Sequence, residues 1–261
     1  MTYKILFSTI LLIILMSGLA VKAADVTYVP ENIRDMDWIR LLKYVPRPEP
    51  PVETTPNIDP SRPMIAITFD DGPSRYTLHI LDTLVENNSS ATFFAVGSRV
   101  YKYPQIVERI HNQGSEVAGH SWNHARLTEL SDDEIRKQIL QTHVAIEDIV
   151  VSVPSFFRAP FGVYNEAVTR VAGELGFSLI QWSVDPRDWE TRNADAIFNA
   201  IYERVRDGDI VVLHDLLSAT ADAMERLIPS LIARGFQLVT VSELMYHRGI
   251  EMKAGEVYYK V

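Results

Sequence analysis

The stretch Met64-Ile65-Ala66-Ile67-Thr68-Phe69-Asp70-Asp71-Gly72 is an apolar, partly β-branched run that stops abruptly at two carboxylates and a glycine. It reads as a buried strand whose end carries chemistry. Working outward, similar short runs recur at Ala91–Val96, Glu116–Ala118, Phe156–Ala159, Ser178–Ser183, Ile210–Leu213 and Gln237–Val241. Segments of helical period lie between them, near Ser74–Asn87, Pro104–Asn112, Asp132–Val150, Asn165–Leu175, Ala194–Arg206 and Ala221–Ala233. Ser131-Asp132-Asp133-Glu134 is a helix start with a capping Ser and a Glu three residues on. Gly176, Gly208 and Gly235 each follow a helical run and precede a strand. Repeated β-then-α units predict an α/β fold with a parallel sheet closed, or nearly closed, into a barrel. Seven strands are counted, one short of the usual eight.

The chain has 261 residues, enough for one large core, and no cysteine. Thiol nucleophiles, disulfides and Cys-held metals are therefore excluded, and any metal must be held by His, Asp or Glu. A formal net charge of -9 argues against a nucleic-acid partner. Lys4, the apolar run Ile5 to Ala20 and the small residues ending at Ala23 have the layout of an export signal, cleaved or kept as an anchor. The expected organisation is a signal or anchor over 1–23, a Pro-rich spacer over 24–62, a catalytic domain over 63–248 and a tail over 249–261. Within the spacer, Ile33 to Tyr44 is a short amphipathic piece. Membrane contact is expected only through the N-terminal segment, and location outside the cytoplasm, secreted or in the cell envelope.

Five polar motifs fall at the C-terminal ends of predicted strands. Thr68-Phe69-Asp70-Asp71-Gly72 offers two adjacent carboxylates, of which one can ligate a metal while the other acts as base. His120-Ser121-Trp122-Asn123-His124 spaces two imidazoles to chelate one ion. Arg158-Ala159-Pro160-Phe161-Gly162 supplies a cation to pair with a carboxylate. Asp185-Pro186-Arg187-Asp188-Trp189 places two acids and a large aromatic in one loop, and Leu213-His214-Asp215 ends the sixth strand. Each motif alone is compatible with a packed or solvated turn. Their shared location carries the argument, because strand ends of a β/α barrel meet on one face, where the active site lies. His79, His111, His143 and His247 fall in or near helices and read as structural.

In this order and register, the five motifs resemble the polysaccharide deacetylase family, the NodB-homology domain of carbohydrate esterase family 4. The resemblance covers roughly residues 62–245. It implies a distorted, incomplete (β/α)7 barrel, in keeping with the strand count. It implies that Asp71, His120 and His124 hold a divalent metal, usually zinc, with cobalt or another divalent ion also acceptable. Asp70 would be the general base and His214 the general acid. Arg158 would orient Asp70, and Asp188 would orient and tune His214. Trp189 and Leu213 would wall the pocket for the acetyl methyl, and the Phe161 N–H would help bind the oxyanion. Two positions depart from the usual third motif, Ala159 for Pro and Phe161 for Tyr, which bears on substrate contacts more than on the chemistry. The implied reaction is removal of N-acetyl groups from amino sugars of a polysaccharide, peptidoglycan or another N-acetylglucosamine polymer; separately, a monomer is expected. An O-acetyl esterase of the xylan type and a non-catalytic carbohydrate-binding relative are the alternatives.

Overall fold

A computed structural model describes residues 58–261. The expected signal or anchor, the amphipathic piece and all but the last five residues of the spacer lie outside the described residues. The described end of the spacer is tied to the domain. Gln237 exchanges hydrogen bonds with the Asp59 backbone, and Arg248 donates to the carbonyls of Pro60 and Arg62.

Eight strands form one sheet: β1 (Met64–Asp70), β2 (Thr92–Ala95), β3 (Glu116–Gly119), β4 (Phe156–Phe157), β5 (Ser178–Ile180), β6 (Ile210–His214), β7 (Gln237–Val239) and β8 (Val257–Tyr258). The order is β6-β1-β2-β3-β4-β5-β8, all pairs parallel, with β7 added beside the first half of β1. The sheet curls until its ends nearly meet. Just beyond β5, Ser183 N–H donates to Ile210 O and Val212 N–H to Val184 O, closing the upper gap to β6 with a single parallel bridge. β8 fills the lower gap. It pairs with β5, while Lys260 bridges Asp209 and Val261 N–H donates to Gly208 O. The segment 249–261, expected as a tail, thus supplies the strand that raises the count from seven to eight. Its two-residue β-run was too short to register as periodicity.

Alternation along each strand sorts the apolar residues into layers. Met64, Ala66, Phe94, Ala118, Phe156, Ile180, Ile210 and Val239 fill the barrel interior. Ile65, Ile67, Phe69, Phe93, Val117, Val211 and Leu213 face outward under the helices. The main covering helices are α1 (Arg75–Glu86), α2 (Gly97–Val100), α3 (Pro104–Asn112), α4 (Asp132–Glu147), α5 (Glu166–Glu174), α6 (Asp188–Thr191), α7 (Ala194–Arg204), α8 (Ser218–Ala233) and α9 (Val241–His247). The reading of the sequence missed α2, α6 and α9, which are too short to complete an amphipathic period. The predicted capping box at Ser131 and Glu134 opens α4. A parallel sheet buried on both faces explains why the strands read as unbroken apolar runs. Among the described residues, no helix is long and apolar enough to cross a membrane.

Candidate active site

The polar ends of β1, β3, β4, β5 and β6 converge on one rim of the barrel. Strand register brings the first contacts: Asp70 lies directly beside His214 across β1 and β6. Asp71, one residue on, leaves the strand with φ 74°. Seven non-glycine residues have positive φ among the described residues, and Asp71, Ser121, His124, Phe161 and Arg187 lie in four of the five motifs. Such conformations cost energy and persist where surrounding structure imposes them, which happens preferentially at functional sites.

Asp71, His120 and His124 each offer one ligand atom, and all three atoms lie within 4.8 Å of one another. Asp71 Oδ1 stands 3.5 Å from His120 Nε2 and 3.1 Å from His124 Nε2. That oxygen is buried and has no hydrogen-bond partner of acceptable geometry. Burial alone would raise the Asp71 carboxyl, but the two imidazoles facing it outweigh burial and hold it well below the usual carboxylate range. His120 Nδ1 lies 2.9 Å from the Arg158 carbonyl. A carbonyl only accepts, so that nitrogen carries a proton and Nε2 is the ring atom left to face Asp71 and to ligate an ion. Two imidazoles and a carboxylate, one oxygen orphaned, fit a divalent ion that takes N and O ligands.

Arg158 plugs the barrel beneath this cluster and is fully buried. Its Nη1 donates to Asp70 Oδ1 at 2.7 Å and to Thr68 Oγ1 at 2.7 Å, its Nε to Ile180 O and its Nη2 to Gln181 O. The guanidinium also lies 4.0 Å from the Phe94 ring centroid. Burial lowers its pKa, with the Asp70 carboxylate acting against that. Asp70 Oδ2 stands 3.8 Å from His120 Nε2, which puts this second carboxylate beside the cluster.

On the far side, His214 Nδ1 meets Asp188 Oδ1 at 2.7 Å. Asp188 is fully buried and saturated: it also accepts from the His214 and Trp189 backbone N–H groups and from Thr220 Oγ1. Burial alone would lower the His214 imidazole. The Asp188 hydrogen bond and charge, with Asp70 and Asp71 behind them, overcome that and push it up to about 9. Phe161 and Trp189 stand exposed at the rim, and the Phe161 ring meets the His124 ring edge-on at 4.5 Å.

One expected residue is misplaced. Leu213 pairs with Phe69 and is buried with the outward-facing core under the helices. Residues two apart share a strand face, so Val212 is the β6 neighbour on the side of His214. Thr68, Thr220 and the carbonyls of Ile180 and Gln181 were not singled out in the sequence. A threonine in a strand or helix gives no pattern signal, and a carbonyl gives none at all.

The polysaccharide deacetylase family model matches residues 57–180. A peptidoglycan-N-acetylglucosamine deacetylase, PgdA, of Listeria monocytogenes serotype 1/2a is 40% identical over 196 residues, 75% of this chain and 41% of that protein. The chain thus spans about two fifths of that relative. A peptidoglycan-N-acetylglucosamine deacetylase of Bacillus cereus is 37% identical over 206 residues, 77% of this chain and 96% of the relative. The solved structure of the peptidoglycan deacetylase PdaC from Bacillus subtilis superposes with a TM-score of 0.71 at 39% identity, over 74% of this chain and 94% of that one. With the barrel, the rim cluster and these likenesses together, the chain belongs to the polysaccharide deacetylase family.

Proposed function

We propose that this protein hydrolyses the N-acetyl groups of amino-sugar residues in a polysaccharide, releasing acetate and leaving a free amine. Peptidoglycan is the substrate favoured by the likeness to peptidoglycan deacetylases. The observation that carries the reading is the convergence of three units on one rim: Asp71-His120-His124, Asp70 held by Arg158, and His214 held by Asp188. Action outside the cytoplasm, after export through residues 1–23 and as a monomer, completes the proposal.

A divalent ion, zinc first, held by Asp71, His120 and His124 would supply Lewis acidity toward the attacking water and the acetyl carbonyl. The remaining work falls to the chain. Asp70, held at Oδ1 by Arg158, takes the proton of the attacking water at Oδ2, the oxygen nearer the cluster. The Phe161 N–H holds the developing oxyanion, a contribution worth about 3–4 kcal/mol for one such donor. His214, pushed up to about 9, keeps its proton at neutral pH and delivers it from Nε2 to the departing nitrogen. An amide nitrogen leaves poorly without that proton. Trp189, next to Asp188, and Val212, on the His214 face of β6, are assigned to the acetyl methyl.

The test is acetate release by purified protein from N-acetylglucosamine oligomers, peptidoglycan and acetylated xylan, with added divalent ion or with chelator. Ion-dependent release from an N-acetyl substrate is expected, with Asp70→Asn lowering kcat by about 10²–10⁴-fold. Release from xylan alone would move the protein to the O-acetyl esterases. No release together with no stoichiometric metal would point to a carbohydrate-binding relative.

A further inference from the structure

The two aromatic side chains exposed at the rim do not stand bare. The Arg126 guanidinium lies over the Phe161 ring, 4.7 Å from its centroid, and the Arg187 guanidinium lies 5.3 Å from the Trp189 centroid. Phe161 is itself in contact with the His124 ring, and Trp189 directly follows the Asp188 that holds His214. Each half of the reacting site therefore carries an arginine at its mouth.

The two arginines share a second feature. Arg126 Nε faces Glu129 at 3.5 Å and Arg187 Nε faces Glu190 at 2.6 Å, both within one turn of chain. In both, the ion pair engages the inner nitrogen, and no described residue pairs with the terminal Nη groups. These are the two donors that form a bidentate fork with a carboxylate. Stacking on an aromatic face restrains the guanidinium plane, so the fork is held ready rather than searched for. Exposed pairs such as these bind weakly, so an incoming carboxylate can compete with either glutamate.

A neutral N-acetylated sugar offers such a fork only uncharged hydroxyl and carbonyl acceptors, whereas a carboxylate offers two charged oxygens at matching spacing. A net charge of -9 on the whole chain would also repel an acidic polymer at long range. Two preset cations at the mouth of a carboxylate-lined site are the local answer to that repulsion.

We propose that Arg126 and Arg187 read carboxylates borne on the glycan around the N-acetyl group being cleaved, so that the site is built for an acidic rather than a neutral N-acetylated polymer. This rests on the deacetylase reading above and names the substrate class of that same site. The carboxylates come either from lactyl ether groups on alternate sugars or from peptides attached to them. Salt screens the attraction between these exposed arginines and an incoming carboxylate, which makes the preference steepest at low ionic strength.

The experiment measures kcat/KM for acetate release at low salt on four substrates. They are neutral N-acetylglucosamine oligomers, an alternating amino-sugar oligosaccharide with free lactyl carboxylates, the same oligosaccharide with those groups converted to methylamides, and its peptide-bearing form. The native protein is expected to favour a carboxylate-bearing form by about tenfold or more, mainly through KM, with the advantage fading at high salt. Preference for the free lactyl form over its methylamide assigns the charge to the lactyl groups. Preference only for the peptide-bearing form assigns it to the peptide. In Arg126→Gln and Arg187→Gln the acidic-to-neutral ratio should fall several-fold each, and approach one in the double variant. Thermal melts of the variants should match the native protein. A ratio near one in the native protein, or an unchanged ratio in the double variant, overturns the inference and leaves the deacetylase reading standing. Absence of acetate from every N-acetyl substrate brings down both.

Discussion

At the scale of single residues, the carboxylates at the rim differ from one another because different partners face them. Asp71 has an orphaned oxygen between two imidazoles, while Asp188 has both oxygens saturated by four donors. The second arrangement fixes the His214 ring and its charge. The imidazole, raised to about 9, is protonated below that pH and loses its proton above it. In Asp188→Asn the carboxylate charge disappears while burial remains, so the imidazole must titrate lower. The alkaline limb of kcat/KM should therefore move to lower pH, and activity at pH 8 should fall by about 10²-fold or more. A pH profile from 6 to 10 checks this. An alkaline limb that stays in place would remove His214 from the role of acid.

At the scale of elements, the rim works because loops from separate strands are pinned to each other. The β1–α1 loop is the clearest case. A Cβ at Gly72 would stand 2.1 Å from Asp215 Oδ2. Asp215 is fully buried, and it accepts from Thr77 Oγ1 through its side chain and from Ser74 Oγ through its carbonyl. On the other side, Val96 N–H donates to Gly72 O and Arg99 Nε to Pro73 O. The loop that carries Asp71 is thus held between β6 and α2, with no room to yield. Gly72→Ala should cost about 1–3 kcal/mol through overpacking. It should also weaken metal binding by about tenfold, since even 1.4 kcal/mol of displacement at Asp71 has that effect. Metal titration beside a thermal melt measures both. Retained metal affinity with a lowered melt would show that the strain is absorbed away from Asp71.

At the scale of the whole molecule, the barrel is incomplete between β5 and β6 and is closed by two different devices. Above, one bridge at Val184 and Val211 holds the edges together beside the site. Below, β8 and the residues around it do so, with Met252, Tyr258 and Val261 packed against the interior cluster. Removing residues 250–261 should expose that interior edge. Partial burial of these side chains, at about 1.5–3 kcal/mol for each fully buried one, suggests a loss of about 3–5 kcal/mol. For a domain of this size that lowers the melting temperature on the order of 10 °C. A truncated protein that melts with the full chain would show that β8 is dispensable to closure.

The parallel β/α architecture and the identity of most rim residues were legible in the sequence, because they rest on local signals. Ile65 to Phe69 must be a buried strand in any fold that uses it, and Asp70 and Asp71 must leave at its end. His120 and His124 must stay within chelating distance on so short a loop. Tertiary structure decided what local pattern does not encode. Strand register placed Asp70 beside His214 and turned Leu213 away under the helices, since a shift of one residue exchanges the two faces. Chain folding brought Thr68, Thr220 and the Ile180 and Gln181 carbonyls to the buried charges, across separations that no sequence window spans. The eighth strand followed the same rule: Val257 and Tyr258 are a strand only because β5 offers an open edge. The sequence determined which groups stand at the rim, because those are set by neighbours along the chain. Packing alone determined which way they face and what holds them there, because those are set by neighbours in space.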